Sequence, residues 1–383
     1  MTFSNVSFGD VTDNFDKKRI PLSAAQREKR QGKYRYYGAQ GVIDWVDDYI
    51  FDGTYLLIAE DGENLKSKKS NIAQLASGKF WVNNHAHVIQ CKKGYDIRYL
   101  CYLINLTDLS GYITGSAQPK LSQSSMNAIV LPMPKFEIQK EVADFIEKFD
   151  KKIQINEKVN DNLEQQAVAL FKSWFVDFSV FGGTVPENWK NTTLENITTL
   201  ITRGIAPKYS NDSDQTVINQ KCIRNHTIDL SLARTHTPKA INEKWLKFGD
   251  LLINSTGDGT LGRVAQVWFA PKALTVDSHV TIVRPAREEL IFYIGLWGIL
   301  HEKEIESLHT GSTGQTELPR DRVKMLKLLL PDNISLSRFN SIIAPMASTI
   351  ILNQEENQKL ASLRDTLLPK LMSGEIDVSS IQL

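Results

Sequence analysis

The sequence predicts an α+β chain: two similar mixed α/β domains, separated by two long helices that pair as an antiparallel coiled coil within a pseudo-two-fold internal repeat. Three observations predict it. Short phrases recur in one order, two heptad seams carry asparagines at matching positions, and strand-like runs precede each seam. A length of 383 residues leaves room for two domains, each with its own core.

The repeat decides the architecture. SFGDV (7–11) is echoed by TLENI (193–197), VNNH (82–85) by VDSH (276–279), TGSAQ (114–118) by TGSTGQ (310–315), and Leu131-Pro132 by Leu330-Pro331. Each phrase is short, but their common order is what two copies with different loop insertions leave behind.

Each copy ends in a helical seam. Val142, Ile146, Phe149, Ile153, Asn156, Asn160, Leu163, Ala167, Leu170 and Trp174 alternate spacings of four and three, as a heptad core does. A shift of 197 positions gives Phe339, Ile343, Met346, Ile350, Asn353, Asn357, Leu360, Arg364, Leu367 and Leu371, with Arg364 the one departure. Antiparallel pairing about the two centres sets Asn156 against Asn357 and Asn160 against Asn353. Buried amides there can bond to each other and would be penalised opposite leucine. Parallel pairing also matches Asn with Asn, so antiparallel is the preferred direction and not the only one open.

Prolines bracket the helices: Pro132 and Pro134 before the first, Pro186 after it, and Pro331 before the second. Pro345, inside the second, predicts a kink or a late start. The boundaries that follow are a first domain at 1–134, a spacer helix at 135–182, a second domain at 183–333, a second spacer helix at 334–376 and a tail at 377–383.

Within the first domain YLLIAE (55–60) and HVIQ (87–90) read as strands and RYLCYLINL (98–106) as a helix. In the second, DLLINS (250–255), RVAQVWF (263–269) and VTIVRP (280–285) alternate like strands, and LIFYIGLWGIL (290–300) is the equivalent buried helix. That apolar run is too short to cross a bilayer.

Catalytic and metal chemistry find no constellation. GDGTLG (257–262) lacks the Gly-Lys-Ser/Thr ending of a phosphate-binding loop and reads as a tight turn between Ile253 and Val264. His85 and His87 form an HxH without a third ligand nearby and read as structural histidines. The acidic turn 44–52 lacks calcium-loop spacing and reads as solvated surface. Cys91, Cys101 and Cys222 are scattered and form no CxxC, which argues against a disulfide frame or zinc site and fits a reducing cytoplasm. The opening MTFSNVSFGD lacks the basic start and apolar run of a signal peptide.

The net charge is only +1, but it is uneven: positions 17–35 hold eight basic residues and one acid, Glu28. Lys17, Lys18, Arg19, Arg27, Lys29, Arg30, Lys33 and Arg35 sit among Tyr34, Tyr36 and Tyr37. Such cations neutralise phosphates, and planar polar side chains read or stack on bases; the bland reading is a solvated helix face. In the second domain the candidates are Arg203, Lys208, Lys221, Arg224, Asn225, His226 and Arg263. The glycine-containing loops add Ser116, Gln118 and Lys120 in one copy and Ser312 and Gln315 in the other.

YYGAQGVIDWVDDYIFDGTYLLIAEDG, LINSTGDGTLGRVAQV, LPMPKFEIQKEVADFI and LFKSWFVDF, in this doubled domain-plus-helix order, resemble the specificity subunit of Type I restriction-modification systems over essentially the whole chain. The resemblance implies a non-catalytic DNA-binding subunit in the cytoplasm, with no membrane association. It implies two target-recognition domains, each reading half of a bipartite site in double-stranded DNA. The helices are then spacer and docking site for two methyltransferase subunits, with restriction/translocase subunits joining them. S-adenosylmethionine, ATP and Mg serve those partners and no cofactor binds this chain; the target adenine is flipped from the stack. The first seam, about 50 Å long at 1.5 Å per residue, suits half-sites a helical turn or more apart. A stand-alone DNA-binding regulator would need a helix-turn-helix, which is not evident. A coiled-coil scaffold that binds no DNA would leave the basic domains without purpose.

Overall fold

In both halves of the sequence the first strand closes onto the last strand before a long helix. The first half contains β1 (Phe3–Ser7), β2 (Thr12–Asn14), β3 (Gln31–Gly38), β4 (Gly41–Val46), β5 (Phe51–Ala59), β6 (Ala73–Val82), β7 (Ala86–Cys91) and β8 (Val130–Pro134). The second contains β9 (Lys190–Thr193), β10 (Thr198–Arg203), β11 (Thr216–Ile218), β12 (Ile223–Arg224), β13 (Thr227–Ile228), β14 (Arg234–Thr235), β15 (Leu251–Asn254), β16 (Val264–Gln266), β17 (Leu274–Val276), β18 (Val280–Pro285) and β19 (Lys327–Leu330). Four helices organise the cores: α1 (Ile97–Leu106), α2 (Phe136–Phe175), α3 (Ile291–Leu300) and α4 (Asn333–Ser373). The structure, a computed structural model, describes residues 2–378 and 381 except 69, 116, 117 and 312–315. It divides into two units, residues 1–154 with 358–383 and residues 155–357.

In the first unit β1 and β8 form a ribbon, and a six-stranded sheet runs β2-β7-β5-β6-β3-β4. Its neighbours are antiparallel except β3 and β6, which are parallel. Leu56, Leu57 and Ile58 are buried in succession because β5 is covered on both faces, which explains the unbroken apolar run. Asp96 caps α1 by accepting the Arg98 and Tyr99 backbone N–H groups. Buried Tyr99, Leu100 and Ile104 join Val142, Ile146 and Phe149 of α2 and Leu371 and Met372 of α4 in one core. Arg98 clamps α1 to α2 through Asp144 (2.7 Å) and Glu147 (2.8 Å). Arg364, the charged departure in the second seam, pairs with Asp150 at 2.7 Å, and Asp150 also accepts the Tyr102 hydroxyl at 2.8 Å.

In the second unit β9 and β19 form the equivalent ribbon, and a sheet runs β10-β18-β15-β16. A further sheet, β14-β11-β17, has β11 and β17 parallel. The two orders correspond: β2-β7-β5-β6 matches β10-β18-β15-β16, and β6 is one strand where β16 and β17 are two. β3 and β4 then correspond to β11 and β14. Ser7 lies opposite Val130 and Thr193 opposite Lys327. Pro134, not Pro132, therefore corresponds to Pro331, which corrects the match of Leu131-Pro132 with Leu330-Pro331. Ile253 and Val264 are paired across the glycine-rich turn.

Phe171, Trp174 and Phe175 of α2, Tyr293 of α3 and Phe339 of α4 meet in an aromatic core, with Phe175 and Phe339 centroids 4.8 Å apart. A Cβ at Gly298 would lie 2.7 Å from Leu251, so glycine lets α3 settle onto the sheet. Along the seam Asn156 donates to Asn357 Oδ1 (2.8 Å) and Glu356 (2.7 Å), and Asn353 donates to Asn160 Oδ1 (2.8 Å). As one number rises its partner's falls, so these segments run in opposite senses.

α4 starts at Asn333 and continues through Pro345, so the late start does not occur. Asp332 caps it, accepting the backbone N–H groups of Ile334 and Ser335, the Ser335 hydroxyl and the Trp189 indole N–H. Burial pushes this carboxyl up, but those donors outweigh it and hold its pKa at about 2. α2 stops at Phe175, short of 182, where Phe178, Gly182 and Gly183 adopt left-handed backbone. Neither helix is a free-standing spacer: each unit takes part of both, because an apolar helix face is buried within each core.

Changing Asn156 and Asn160 together to Leu strands the amides of Asn353 and Asn357. Stability falls by about 1–3 kcal/mol per orphaned amide and recovers when all four are Leu or Ile; urea denaturation measures both. Asp332→Ala removes an N-cap and lowers stability by about 1 kcal/mol. The folded pKa of about 2 lies below the ordinary 3.8, so the charge contribution is present above pH 3.8 and fades as pH falls toward 2. Over that window the variant's acid-unfolding curve is the flatter one.

Candidate nucleic-acid interface

The basic segment 17–35 separates into held and free cations. Lys17 and Lys18 lie exposed on a 3-10 turn (Asp16–Lys18), Lys18 5.1 Å from the Phe15 ring centre. Arg19 turns inward, reaching Glu60 at 2.9 Å and the Ala86 carbonyl at 2.7 Å. Beside it the buried His87 places Nδ1 2.6 Å from Asp16 and Nε2 2.9 Å from the Leu121 carbonyl. Burial raises the Asp16 carboxyl, but the His87 hydrogen bond and charge outweigh it and hold it below the ordinary value. Glu60 is likewise raised by burial and lowered further by Arg19, His87 and Lys120. Asp16, Glu60 and His87 are the one trio among the described residues spaced as metal ligands. The Arg19 guanidinium, 2.9 Å from Glu60 and 3.5 Å from Asp16, already supplies a cation there.

Arg27 pairs with Asp44 at 2.8 Å and lies over Tyr36; Arg30 pairs with Asp47 at 2.9 Å and lies over Trp81. Arg35 donates to the Ser77 carbonyl and stands over Tyr37. The acidic turn is therefore not merely solvated: Asp44 and Asp47 are countercharges to the arginines. Lys29 and Lys33 stay exposed, Lys33 beside the Tyr34 ring, which packs on Tyr49 at 5.1 Å. Trp45, Val42 and Ile43 are exposed on the edge strand β4, and charge counting passed over them.

In the loop that contains TGSAQ, Thr114 and Lys120 exchange two backbone hydrogen bonds (2.9 and 2.8 Å). Gln118 is exposed, and Lys120 reaches Glu60 at 3.2 Å. In the second copy Thr310 and Glu317 make the same exchange (2.8 and 2.9 Å). Ser116, Ser312 and Gln315 lie outside the described residues.

Elsewhere in the second domain Arg203 is held by Glu317 and the Leu318 carbonyl. Lys208, Lys221 and Arg224 are exposed, and Arg263 is tied to the Gly259 carbonyl at 2.7 Å. Asn225 and His226, with φ of 50° and 60°, form the two-residue turn of the β12–β13 hairpin. His226 Nε2 lies 3.3 Å from Glu302; that hydrogen bond raises the His226 pKa against the opposing effect of burial. Lys17, Lys18, Lys29 and Lys33 on one domain and Lys208, Lys221 and Arg224 on the other are thus the exposed candidates to meet phosphates.

Residues 2–165 match the family described as Type I restriction modification DNA specificity domain. The chain is 26% identical to the Type I restriction enzyme MjaIX specificity subunit of Methanocaldococcus jannaschii, over 85% of this chain and 80% of that one. It is 22% identical to the Type I restriction enzyme HindI specificity subunit of Haemophilus influenzae, over 98% and 95%. Its fold is similar to the crystal structure of a Type-I restriction-modification system S subunit from M. genitalium, with a TM-score of 0.59, 14% identity and 97% and 96% coverage.

Replacing Lys17 and Lys18 with Gln leaves the melting temperature unchanged and weakens binding to all duplexes alike. The log–log salt slope flattens by about 0.9 per lost phosphate contact. Arg19→Gln removes the cation held between Glu60 and Asp16, so its first effect is a lower melting temperature; calorimetry and salt-titrated anisotropy separate the two classes.

Proposed function

We infer that this chain is a specificity subunit of a Type I restriction-modification system and reads a bipartite DNA target with one α/β domain on each half-site. A specificity subunit supplies sequence recognition, and catalysis resides in partner subunits. The observation that carries the bipartite reading is the matching strand order of the two domains, each closed by a first-to-last ribbon ahead of a long helix. One domain does not need a second copy of itself to read one continuous site, whereas two half-sites need two readers. The reading takes the domains, 1–134 and 183–333, as internal copies and the asparagine seam as an antiparallel coiled coil.

Two methyltransferase subunits and the restriction/translocase subunits are the proposed protein partners. S-adenosylmethionine, ATP and Mg are then used by those partners and none by this chain. No helix among the described residues is long and apolar enough to cross a membrane, which suits the proposed place in the cytoplasm beside DNA.

Exchanging residues 183–333 for the matching domain of a relative tests the reading. Co-expressed with a methyltransferase subunit and assayed by methylome sequencing, the hybrid changes one half of the methylated sequence and keeps the other half and the gap. A hybrid that rewrites both halves together defeats independent reading.

A further inference from the structure

Between β6 and β7, and again between β17 and β18, the chain turns through the recurring VNNH and VDSH phrases, and the two turns are built alike. Asn83 Oδ1 accepts the His85 backbone N–H at 2.8 Å, as Asp277 Oδ1 accepts that of His279 at 2.9 Å. The His85 carbonyl receives the Glu60 N–H (2.9 Å) and the His279 carbonyl the Ser255 N–H (2.8 Å). The carbonyls of Glu60 and Ser255 in turn accept Leu121 and Leu318, both at 2.8 Å. The residue after each then orients the ring. Asp61 Oδ2 lies 2.8 Å from His85 Nδ1, and Thr256 Oγ1 lies 2.6 Å from His279 Nδ1.

This frame leaves both imidazoles exposed, with Nε2 bonded to no described residue. Packing does not explain why each copy keeps the ring, because an exposed side chain adds little to a core. The turn does not explain it either. It uses an Asx acceptor at its start and the histidine backbone, neither of which requires an imidazole. The surroundings have diverged: Glu60 stands where the second copy has Ser255, Asp61 where it has Thr256, and Lys120 where it has Glu317. The ring persists while its holder changes from a carboxylate to a hydroxyl.

We propose that His85 and His279 are equivalent contacts to the DNA backbone, each presenting Nε2–H to a phosphate oxygen while Nδ1 is held. The proposal rests on the reading of the two domains as copies that each meet one half-site. Half-sites differ in their bases but share the sugar–phosphate backbone, so a polar group common to both copies belongs to the shared chemistry. Asp61 accepts from His85 Nδ1–H, so both ring nitrogens of His85 donate when Nε2 meets a phosphate. The Thr256 hydroxyl can donate, so His279 can offer Nε2–H as the neutral ring.

Paired substitutions separate this role from a structural one. The carboxamide nitrogen of Asn takes the place of Nδ1, and that of Gln the place of Nε2. The full chain is titrated by anisotropy with duplexes of unrelated random sequence, and its melting temperature is followed in parallel. His85→Asn and His279→Asn keep the parent's melting temperature and each weaken binding about fivefold on every duplex, the size of one hydrogen bond. His85→Gln and His279→Gln retain most of the binding. The double Asn variant loses about twenty-fivefold, since the sites are independent. Asn variants that bind like the parent overturn the proposal. So does a loss confined to some sequences, which marks base reading, or a loss that follows a fall in melting temperature, which marks a structural tie. A parent chain that binds no duplex defeats the functional reading itself, a result distinct from a binding parent with indifferent variants.

Discussion

Two amide pairs, Asn156 with Asn357 and Asn160 with Asn353, decide how the helical seam is joined. An apolar seam of leucines and isoleucines tolerates slips by a heptad, because one large aliphatic side chain substitutes for another. An amide does not tolerate them. Moved by one heptad, Asn353 would face Ala167 or Ile153 and Asn357 would face Leu163 or Phe149, and their lost hydrogen bonds would have no replacement. The same logic accounts for Arg364. A charged residue on a seam is a fault only when nothing answers it, and Asp150, itself bonded to Tyr102, lies 2.7 Å away. In each unit, then, the α/β core is built onto helix faces whose alignment is set by polar groups that are bonded in this register.

Charge on this protein is mostly internal accounting between neighbours. The arginines of the basic segment are short-range structural cations. Arg19 neutralises two half-buried carboxylates, and Arg27 and Arg30 each combine an aspartate with an aromatic face. Lysines carry the opposite tendency, since their compact, strongly hydrated ammonium groups remain in water. The division between arginine as brace and lysine as free cation leaves a smaller electrostatic surface than the eight basic residues suggest.

The two domains share some features and differ in others. The ribbon, the strand order, the loop closed by Thr114 with Lys120 or Thr310 with Glu317, and the histidine turn are held in common. The β12–β13 hairpin, the split of one long strand into β16 and β17, and the placement of exposed cations differ. On the proposed bipartite reading, the common part is scaffold plus what both half-sites would share, and the differing part is where distinct base sequences would be read.

The local patterns were legible in the sequence alone: the heptads, the strand-like runs near 55, 87 and 280, the tight turn at 257–262 and the recurring phrases. All are local, depending on residues a few positions apart or on likeness between two short strings. The seam also limited its own pairing to two directions, because amides must meet amides. Tertiary structure decided what depends on partners distant in sequence. It chose the antiparallel sense, moved the matched proline from Pro132 to Pro134 through strand register, and carried α4 through Pro345 under the Asp332 cap. It also gave Arg19, Arg27, Arg30 and Arg35 partners within the fold, with Asp44 and Asp47 of the acidic turn as countercharges to Arg27 and Arg30. His85 shows the limit most clearly. Its recurrence as His279 was visible, but only the folded turns show both rings oriented through Nδ1 and, among the described residues, unbonded at Nε2. A count of charges or a spacing of ligands cannot convey which groups are already satisfied, because satisfaction is a property of three-dimensional neighbours.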